Sequence, residues 1–181
     1  ARLTWGDEPV YVEAAPTLTM GKARVTPPPG AFLQATAEGE AALRAAVTEA
    51  LTGATRLADL FAGCGTFALP LASTAPVHAV EGEATLLAAL GHATRHAQGL
   101  RPVTTEVRDL FRNPILAEDL SRFDGIVIDP PRAGAEAQTA EIAKAQVPRI
   151  AMVSCNPVTF ARDAAMLTAT GYRLNWVQPV D

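Results

Sequence analysis

The sequence predicts one main α/β domain with a doubly wound, mostly parallel sheet, preceded by a short β-rich lead-in. Three observations point to it. Short apolar runs alternate with stretches of helical spacing, the pattern of strands joined by crossover helices. A glycine-rich turn, Gly63-Cys64-Gly65, stands between one such run and a helix, as at a ligand-binding first βα turn. Glu81, Asp109, Asp129 and Cys155 each fall at or just after the carboxyl end of a predicted strand, the edge where ligands bind in such sheets.

Composition narrows the function. The chain has 181 residues, enough for a proper core. With 15 Lys and Arg against 19 Asp and Glu, its net charge is −4. A nucleic-acid grip would therefore have to be local or lie on other segments. No stretch reaches transmembrane length and no signal-peptide pattern opens the chain, so no membrane partner is expected. Cys64 and Cys155 form neither a disulfide framework nor a zinc pattern. A reducing cytoplasm is the expected compartment. Pro27-Pro28-Pro29-Gly30 reads as punctuation. It divides a lead-in and linker over residues 1–30 from a catalytic domain over 31–181.

In the lead-in, Val10–Glu13 and Leu18–Met20 are strand candidates. Gln34 stands in a short connection, where a solvated loop residue is the competing reading. Leu43, Val47 and Leu51 then share a helix face that Gly53 ends. In the stretch that begins at Arg56 a strand, the first of the sheet, runs into the glycine-rich turn, where Gly63 and Gly65 allow close backbone approach. The helix from Phe67 to Ser73 contains Pro70, which bends or shortens it. Val77–Glu81 is the second strand, and its terminal acid stands where a ribose hydroxyl pair is held in such folds. Leu86, Leu87 and Leu90 face inward on a helix from Glu83 to Gln98. His92 and His96 share that helix at metal-ligand spacing, but no third ligand is near, and a solvated face is expected.

Val103–Val107 is the third strand, followed by Asp109. Phe123–Ile128 is the fourth, running into Asp129-Pro130-Pro131-Arg132-Ala133-Gly134. Pro130 holds Asp129 extended, so this stiff loop presents a carboxylate and a cation. A helix over Ala135–Gln146 leads to the fifth strand, Ile150–Val153. Asn156 and Pro157 are helix-start residues, Phe160, Ala164 and Leu167 continue at helical spacing, and Gly171 closes the helix. Cys155 thus sits between a strand end and a helix N-terminus, which favours the thiolate nucleophile. A buried, inert cysteine is the competing reading. Tyr172–Val177 is expected as a sixth strand.

Three stretches carry a resemblance: D-L-F-A-G-C-G-T-F-A-L-P-L-A (Asp59–Ala72), D-P-P-R-A-G (Asp129–Gly134) and S-C-N-P-V-T-F-A-R-D (Ser154–Asp163). Together they resemble the bacterial RNA 5-methyluridine methyltransferases, which use S-adenosylmethionine to methylate carbon 5 of uracil in ribosomal or transfer RNA. Phe32-Leu33-Gln34 is similar to that family's F-F-Q element, and the resemblance runs from Phe32 to Asp181. It implies the Rossmann-like class I methyltransferase fold, with seven strands and the last antiparallel. It also implies that Cys155 is the nucleophile. Gln34, Phe61, Gly63, Gly65, Thr66 and Glu81 would line the cofactor site, with Asp109 near the adenine. Asp129 would stand between cofactor and uracil, and Arg132 would hold substrate or order its loop. No metal is implied.

The sequence departs from the family at Thr66 and Thr36, where relatives carry asparagine. The family's terminal F-P-x-T-x-H-x-E, whose glutamate is the proposed base, its amino-terminal RNA-binding barrel and the iron–sulfur cysteines of many members are not found. The chain is therefore expected to be a catalytic domain from a longer RNA-binding parent, inactive on its own. An amino-group methyltransferase would carry an aromatic at the end of its N/D-P-P loop, where this chain has Arg132, and would need no cysteine. A cytosine carbon 5 methyltransferase would carry different cysteine motifs. A non-catalytic S-adenosylmethionine-binding module is the reading from another class.

Overall fold

The computed structural model describes residues 2–6 and 8–180, so the outer limits 1 and 181 of the two expected units lie outside the described residues. The elements in chain order are β1 (Arg2–Trp5), β2 (Glu8–Val12), β3 (Leu18–Met20), β4 (Ala23–Val25), α1 (Ala37–Ala50), β5 (Leu57–Leu60), α2 (Ala68–Leu71) and β6 (Val77–Glu81). There follow α3 (Ala84–His96), β7 (Val103–Val107), α4 (Ala117–Leu120), β8 (Gly125–Ile128), α5 (Glu136–Ala145), β9 (Arg149–Met152) and α6 (Pro157–Ala169).

The expected α/β architecture is present. Five parallel strands stand in the order β7-β6-β5-β8-β9. Every residue of β5 and β8 is buried, as central parallel strands covered on both faces require. Residues from α1, α2 and α3 cover one face, with Val47, Leu69, Leu87 and Leu90 against Leu57 and Val127. Residues from α4, α5 and α6 cover the other, with Leu120, Ile142 and Leu167 against Leu60, Ile126 and Ile128. The chain leaves β5 toward β6 on one side and later returns to β8 on the other. That reversal opens a crevice at the carboxyl ends of β5 and β8.

Local chemistry sets several element ends. Thr36 is the N-cap of α1, its hydroxyl accepting from the Gly39 amide at 3.0 Å. α2 is a single turn that contains Pro70. The lead-in is two antiparallel hairpins. Its first predicted strand lies earlier than expected, at Glu8–Val12. The β3–β4 hairpin joins the core through Met20, Ala23 and Val25. By contrast, β1–β2 leaves Leu3, Trp5, Val10 and Tyr11 exposed.

The sixth strand expected over Tyr172–Val177 does not form. Tyr172 instead closes α6, its amide donating to the Leu167 carbonyl at 3.2 Å and its hydroxyl to the Ile142 carbonyl at 3.1 Å. Beyond it Leu174, Trp176 and Val177 are exposed. An extended segment becomes a strand only when a neighbour takes up its backbone groups, and β9 pairs with β8 alone. Among the described residues this sheet therefore has five strands, where the resemblance implied seven.

Candidate functional site

A crevice of about 2100 Å³ runs along the carboxyl edge of the sheet and on down the outer side of β9, past Arg149 and the Tyr172–Val180 segment. Gln34, Phe61, Gly63, Thr66, Glu81, Asp109, Asp129, Arg132 and Cys155 all line it. A hollow of about 600 Å³ between the β3–β4 hairpin and α1 is lined by Thr19, Arg44, Thr48 and Pro70 and holds none of these groups.

The turn after β5 is built around Glu81. Its carboxylate accepts from the Gly63 amide at 3.0 Å through one oxygen and from the Glu83 amide at 3.0 Å through the other. The acid ending the second strand thus holds the glycine turn of the first. Phe61 enters that turn with φ 63°, a left-handed conformation that bulky residues seldom adopt and that concentrates at functional sites. Its ring meets Phe111 with centroids 5.3 Å apart. Gly65 does not line the crevice. A Cβ there would lie 2.6 Å from Leu90 Cδ1 and 3.0 Å from Leu69, and φ is +104°, so glycine is required for close packing of α3 under the turn. Cys64 is buried, and burial pushes its thiol up from its ordinary pKa.

Asp109 lines the crevice but spends its carboxylate locally. Oδ1 accepts from the Phe111 amide at 3.0 Å and the Arg112 amide at 3.3 Å. It thereby shapes the loop that carries Phe111. The sequence reading missed Phe111; the D-L-F that follows the third strand, with an aromatic two residues after the acid, was the available signal.

Cys155 is exposed in the turn between β9 and α6. Asn156 caps α6, its side chain accepting from the Val158 amide at 3.0 Å, with Pro157 in the first turn. The same helix start grips the Asp129–Gly134 loop. Asn156 Nδ2 donates to the Arg132 carbonyl at 2.9 Å, and Thr159 Oγ1 donates to it at 3.3 Å. Arg162 donates to the Ala133 carbonyl at 3.3 Å. Buried Asp163 accepts from the Ala135 amide at 2.8 Å and pairs with Arg162 at 2.7 Å. Asn156 was read only as a helix cap, and Thr159, Arg162 and Asp163 only as motif letters, although polar residues at i, i+3, i+6 and i+7 on one helix face signal such a clamp.

Gly134 sits inside this clamp. A Cβ there would lie 2.6 Å from Arg162 Nη2, 2.7 Å from Asp163 Oδ2 and 2.9 Å from Thr159 Cβ, and φ is +77°. Gly134→Ala is therefore expected to destabilise the fold by about 1–3 kcal/mol through overpacking and backbone strain. Urea denaturation checks it, and an unchanged midpoint would show that the clamp yields freely.

The electrostatics converge on three acids. Asp59 on β5 is opposite Ala79 of β6 and Val127 of β8. Glu81 and Asp129 lie two residues beyond those partners, hence on the same face. Strand spacing and rise put each roughly 8 Å from Asp59, backbone to backbone. At that range two carboxylates repel by about 2 kcal/mol at an effective dielectric of 20. Asp59 is wholly buried, and neither of its oxygens has a hydrogen-bond partner among the described residues. Desolvation first, then the Asp129 charge, pushes its pKa to about 8, with Ala68's amide offsetting only part of this. Burial alone lifts Asp129 to about 6. Sequence reading passed over Asp59; an acid inside an otherwise apolar strand was the sign.

With the geometry in view, comparison with known proteins is direct. The sequence matches the family described as tRNA (Uracil-5-)-methyltransferase over residues 21–175. It is 52% identical over 181 residues to an uncharacterised RNA methyltransferase of Rhizobium meliloti (strain 1021), covering 100% of this chain and 44% of that protein. It is 38% identical over 149 residues to the 23S rRNA (uracil(1939)-C(5))-methyltransferase RlmD of Chromohalobacter salexigens, covering 81% of this chain and 30% of that protein. The fold is similar to that of the Pyrococcus abyssi tRNA (uracil-54, C5)-methyltransferase in complex with S-adenosyl-L-homocysteine, with a TM-score of 0.74 and 25% identity, covering 88% of this chain and 38% of that one. The chain thus spans less than half the length of the relatives it matches. No helix among the described residues is long and apolar enough to cross a membrane. Motifs and sheet agree with these matches, and the chain belongs to the tRNA (uracil-5-)-methyltransferase family.

Proposed function

We propose that this chain binds S-adenosylmethionine and carries the nucleophile for methylating carbon 5 of a uridine in RNA, through a covalent adduct between Cys155 and carbon 6. The observation that carries the reading is the pairing of two loops on one crevice. The helix start beside an exposed thiol is bonded to the loop that begins with a half-buried carboxylate, and both line the crevice with a glycine turn held by an acid. Ribosomal RNA is favoured over transfer RNA by the relative named for 23S rRNA, at 38% identity. We assign catalysis to residues 31–181. The β3–β4 hairpin that precedes them is part of the same core.

The residues fit the cofactor. The carboxylates of Glu81, Asp109 and Asp129 at three strand ends suit a ligand with cationic groups and ribose hydroxyls. Phe61 and Phe111 offer aromatic surface for a planar base. Glu81 would take the ribose, Gly63 and Thr66 the amino-acid end, and Gln34 would close the site from the loop before α1. When bound, S-adenosylmethionine supplies an electrophilic methyl group.

Uracil carbon 5 is too weak a nucleophile to take that methyl unaided, and covalent catalysis divides the step. Cys155 adds to carbon 6, and the electron pair moves through carbon 5 to oxygen 4. Carbon 5 then takes the methyl, a base removes its proton, and the thiolate leaves. The uridine must first leave its stack to enter the crevice. Asp129 would bond the uracil edge, and exposed Arg132 would meet a phosphate. Arg132 in place of an aromatic disfavours the amino-group alternative.

The test uses the full-length protein and RNA carrying 5-fluorouridine. Fluorine in place of the carbon 5 hydrogen leaves no proton to remove, so the adduct should accumulate as a denaturant-stable complex mapping to Cys155. Methylation of such RNA without any adduct would refute the covalent reading. A second expected result concerns the cofactor. Glu81→Ala should weaken S-adenosylhomocysteine binding by about 1–3 kcal/mol, the usual loss for hydrogen bonds to a charged acceptor. Equal affinities by calorimetry would remove Glu81 from the site.

A further inference from the structure

Asp59 has no role in the chemistry above, yet its setting is unusual. It is buried within the central strand, both oxygens lack hydrogen-bond partners, and two other acids stand on the same face of the neighbouring strands. A buried carboxylate that makes no full hydrogen bond, with only the Ala68 amide near enough to offset part of the cost, is strongly disfavoured, so the side chain carries a proton in the free protein. The surroundings offer no cation. The ionisable groups that act on it are Asp129 from β8 and Glu81 from β6, both acids. The buried residues of α2 are Ala68, Leu69 and Leu71, and those of α3 are Leu86, Leu87, Leu90 and Ala93. Glu81 is already satisfied by the Gly63 and Glu83 amides. Asp129, raised only to about 6, is already mostly ionised at pH 7, so Asp59 is the acid left to respond when positive charge arrives in the crevice.

The methyl donor and its product differ by one such charge. The donor has a sulfonium; after transfer the carbon–sulfur bond is broken, its electron pair stays on sulfur, and the thioether is neutral. We infer that Asp59 is a positioning residue that releases its proton to solvent when the sulfonium cofactor binds and takes one back from solvent once the methyl has left. Charge neutralisation then favours the methyl donor over the spent product and assists product release. This rests on the reading of the crevice as an S-adenosylmethionine site.

Calorimetry of the full-length protein tests it without any turnover. S-adenosylmethionine and S-adenosylhomocysteine are titrated separately at pH 7 in phosphate and in Tris, whose ionisation enthalpies differ, so the heats give protons released per ligand bound. The donor should release more protons than the product, up to about one more. The affinity ratio of donor to product should rise with pH by as much as tenfold per unit until Asp59 is ionised in the free protein. At pH 9 the difference in proton count should vanish. In Asp59→Asn the difference should vanish at every pH while both ligands still bind. Equal proton counts for the two ligands in the parent protein would overturn the inference and leave the cofactor site standing. So would a difference that persists undiminished in Asp59→Asn, which would belong to the ligands' own groups. Failure of both ligands to bind the parent protein would overturn the cofactor reading itself, and the inference with it.

Discussion

Cys155→Ala in the full-length protein is expected to lower methyl transfer to uridine by about 10⁴-fold or more, the scale seen when a catalytic nucleophile is removed. The side chain is exposed, so its loss opens no cavity and the fold should be unaffected. Cofactor affinity should also hold, because the turn at Gly63 and its bonds to Glu81 are built from other residues. The effect should therefore fall on kcat rather than on binding. Tritium released from RNA labelled at carbon 5 of uridine measures it directly. A mutant that releases tritium as fast as its parent would rule out attack by Cys155 on carbon 6. Cys64 cannot substitute, because its thiol is buried and held away from ionisation.

Asp59→Asn is expected to stabilise the protein at alkaline pH. The folded-state pKa of Asp59, about 8, lies above the ordinary carboxylate value of 3.8. Between those values the folded protein holds a proton that the unfolded chain has released. The stability linked to that proton is complete below about pH 4 and is lost as pH rises through about 8. Asp129, raised to about 6, adds to the lower part of the same window. Asparagine keeps the shape and has no proton to lose. Leaving a buried polar group unpaired typically costs ~1–3 kcal/mol, and more when it is charged. For a domain of this size that is a rise in Tm of roughly 3–10 °C at pH 9, shrinking toward zero near pH 4. Thermal melts of the two proteins across this range check the sign. A mutant less stable than the parent at pH 9 would mean that the aspartate is engaged by donors and ionises without penalty. A stability deficit kept at a binding crevice is what a stability–activity trade-off predicts.

Much of this was legible in the sequence, for identifiable reasons. Parallel central strands are buried on both faces, so Gly125–Ile128 reads as an apolar run and could be placed within a residue or two. Asn156-Pro157 announced α6 because the two residues satisfy different requirements of a helix start. Glu81, Asp129 and Cys155 could be sent to one edge because strand ends in such a sheet share it. Other features depended on distance in space. The hold of Glu81 on the Gly63 amide joins residues 18 apart, and the grip of Asn156 on the Arg132 carbonyl joins residues 24 apart. Neither spacing has a local signature. Gly65 was read as a ligand contact because the motif does not say which glycine faces the crevice and which faces Leu90. The strand expected over Tyr172–Val177 failed for a similar reason, since alternation of apolar residues describes a ribbon and not its neighbour.

The clamp between α6 and the Asp129–Gly134 loop reaches that loop through its main chain. Asn156 and Thr159 hold the carbonyl of Arg132, Arg162 that of Ala133, and Asp163 the amide of Ala135. The side chain at position 132 takes no part in these bonds, so exchanging it leaves the frame standing. Such an arrangement separates what aligns the catalytic groups from what meets the nucleic acid. A lineage could explore new target uridines by varying one outward-facing residue while the thiol and carboxylate keep their mutual alignment.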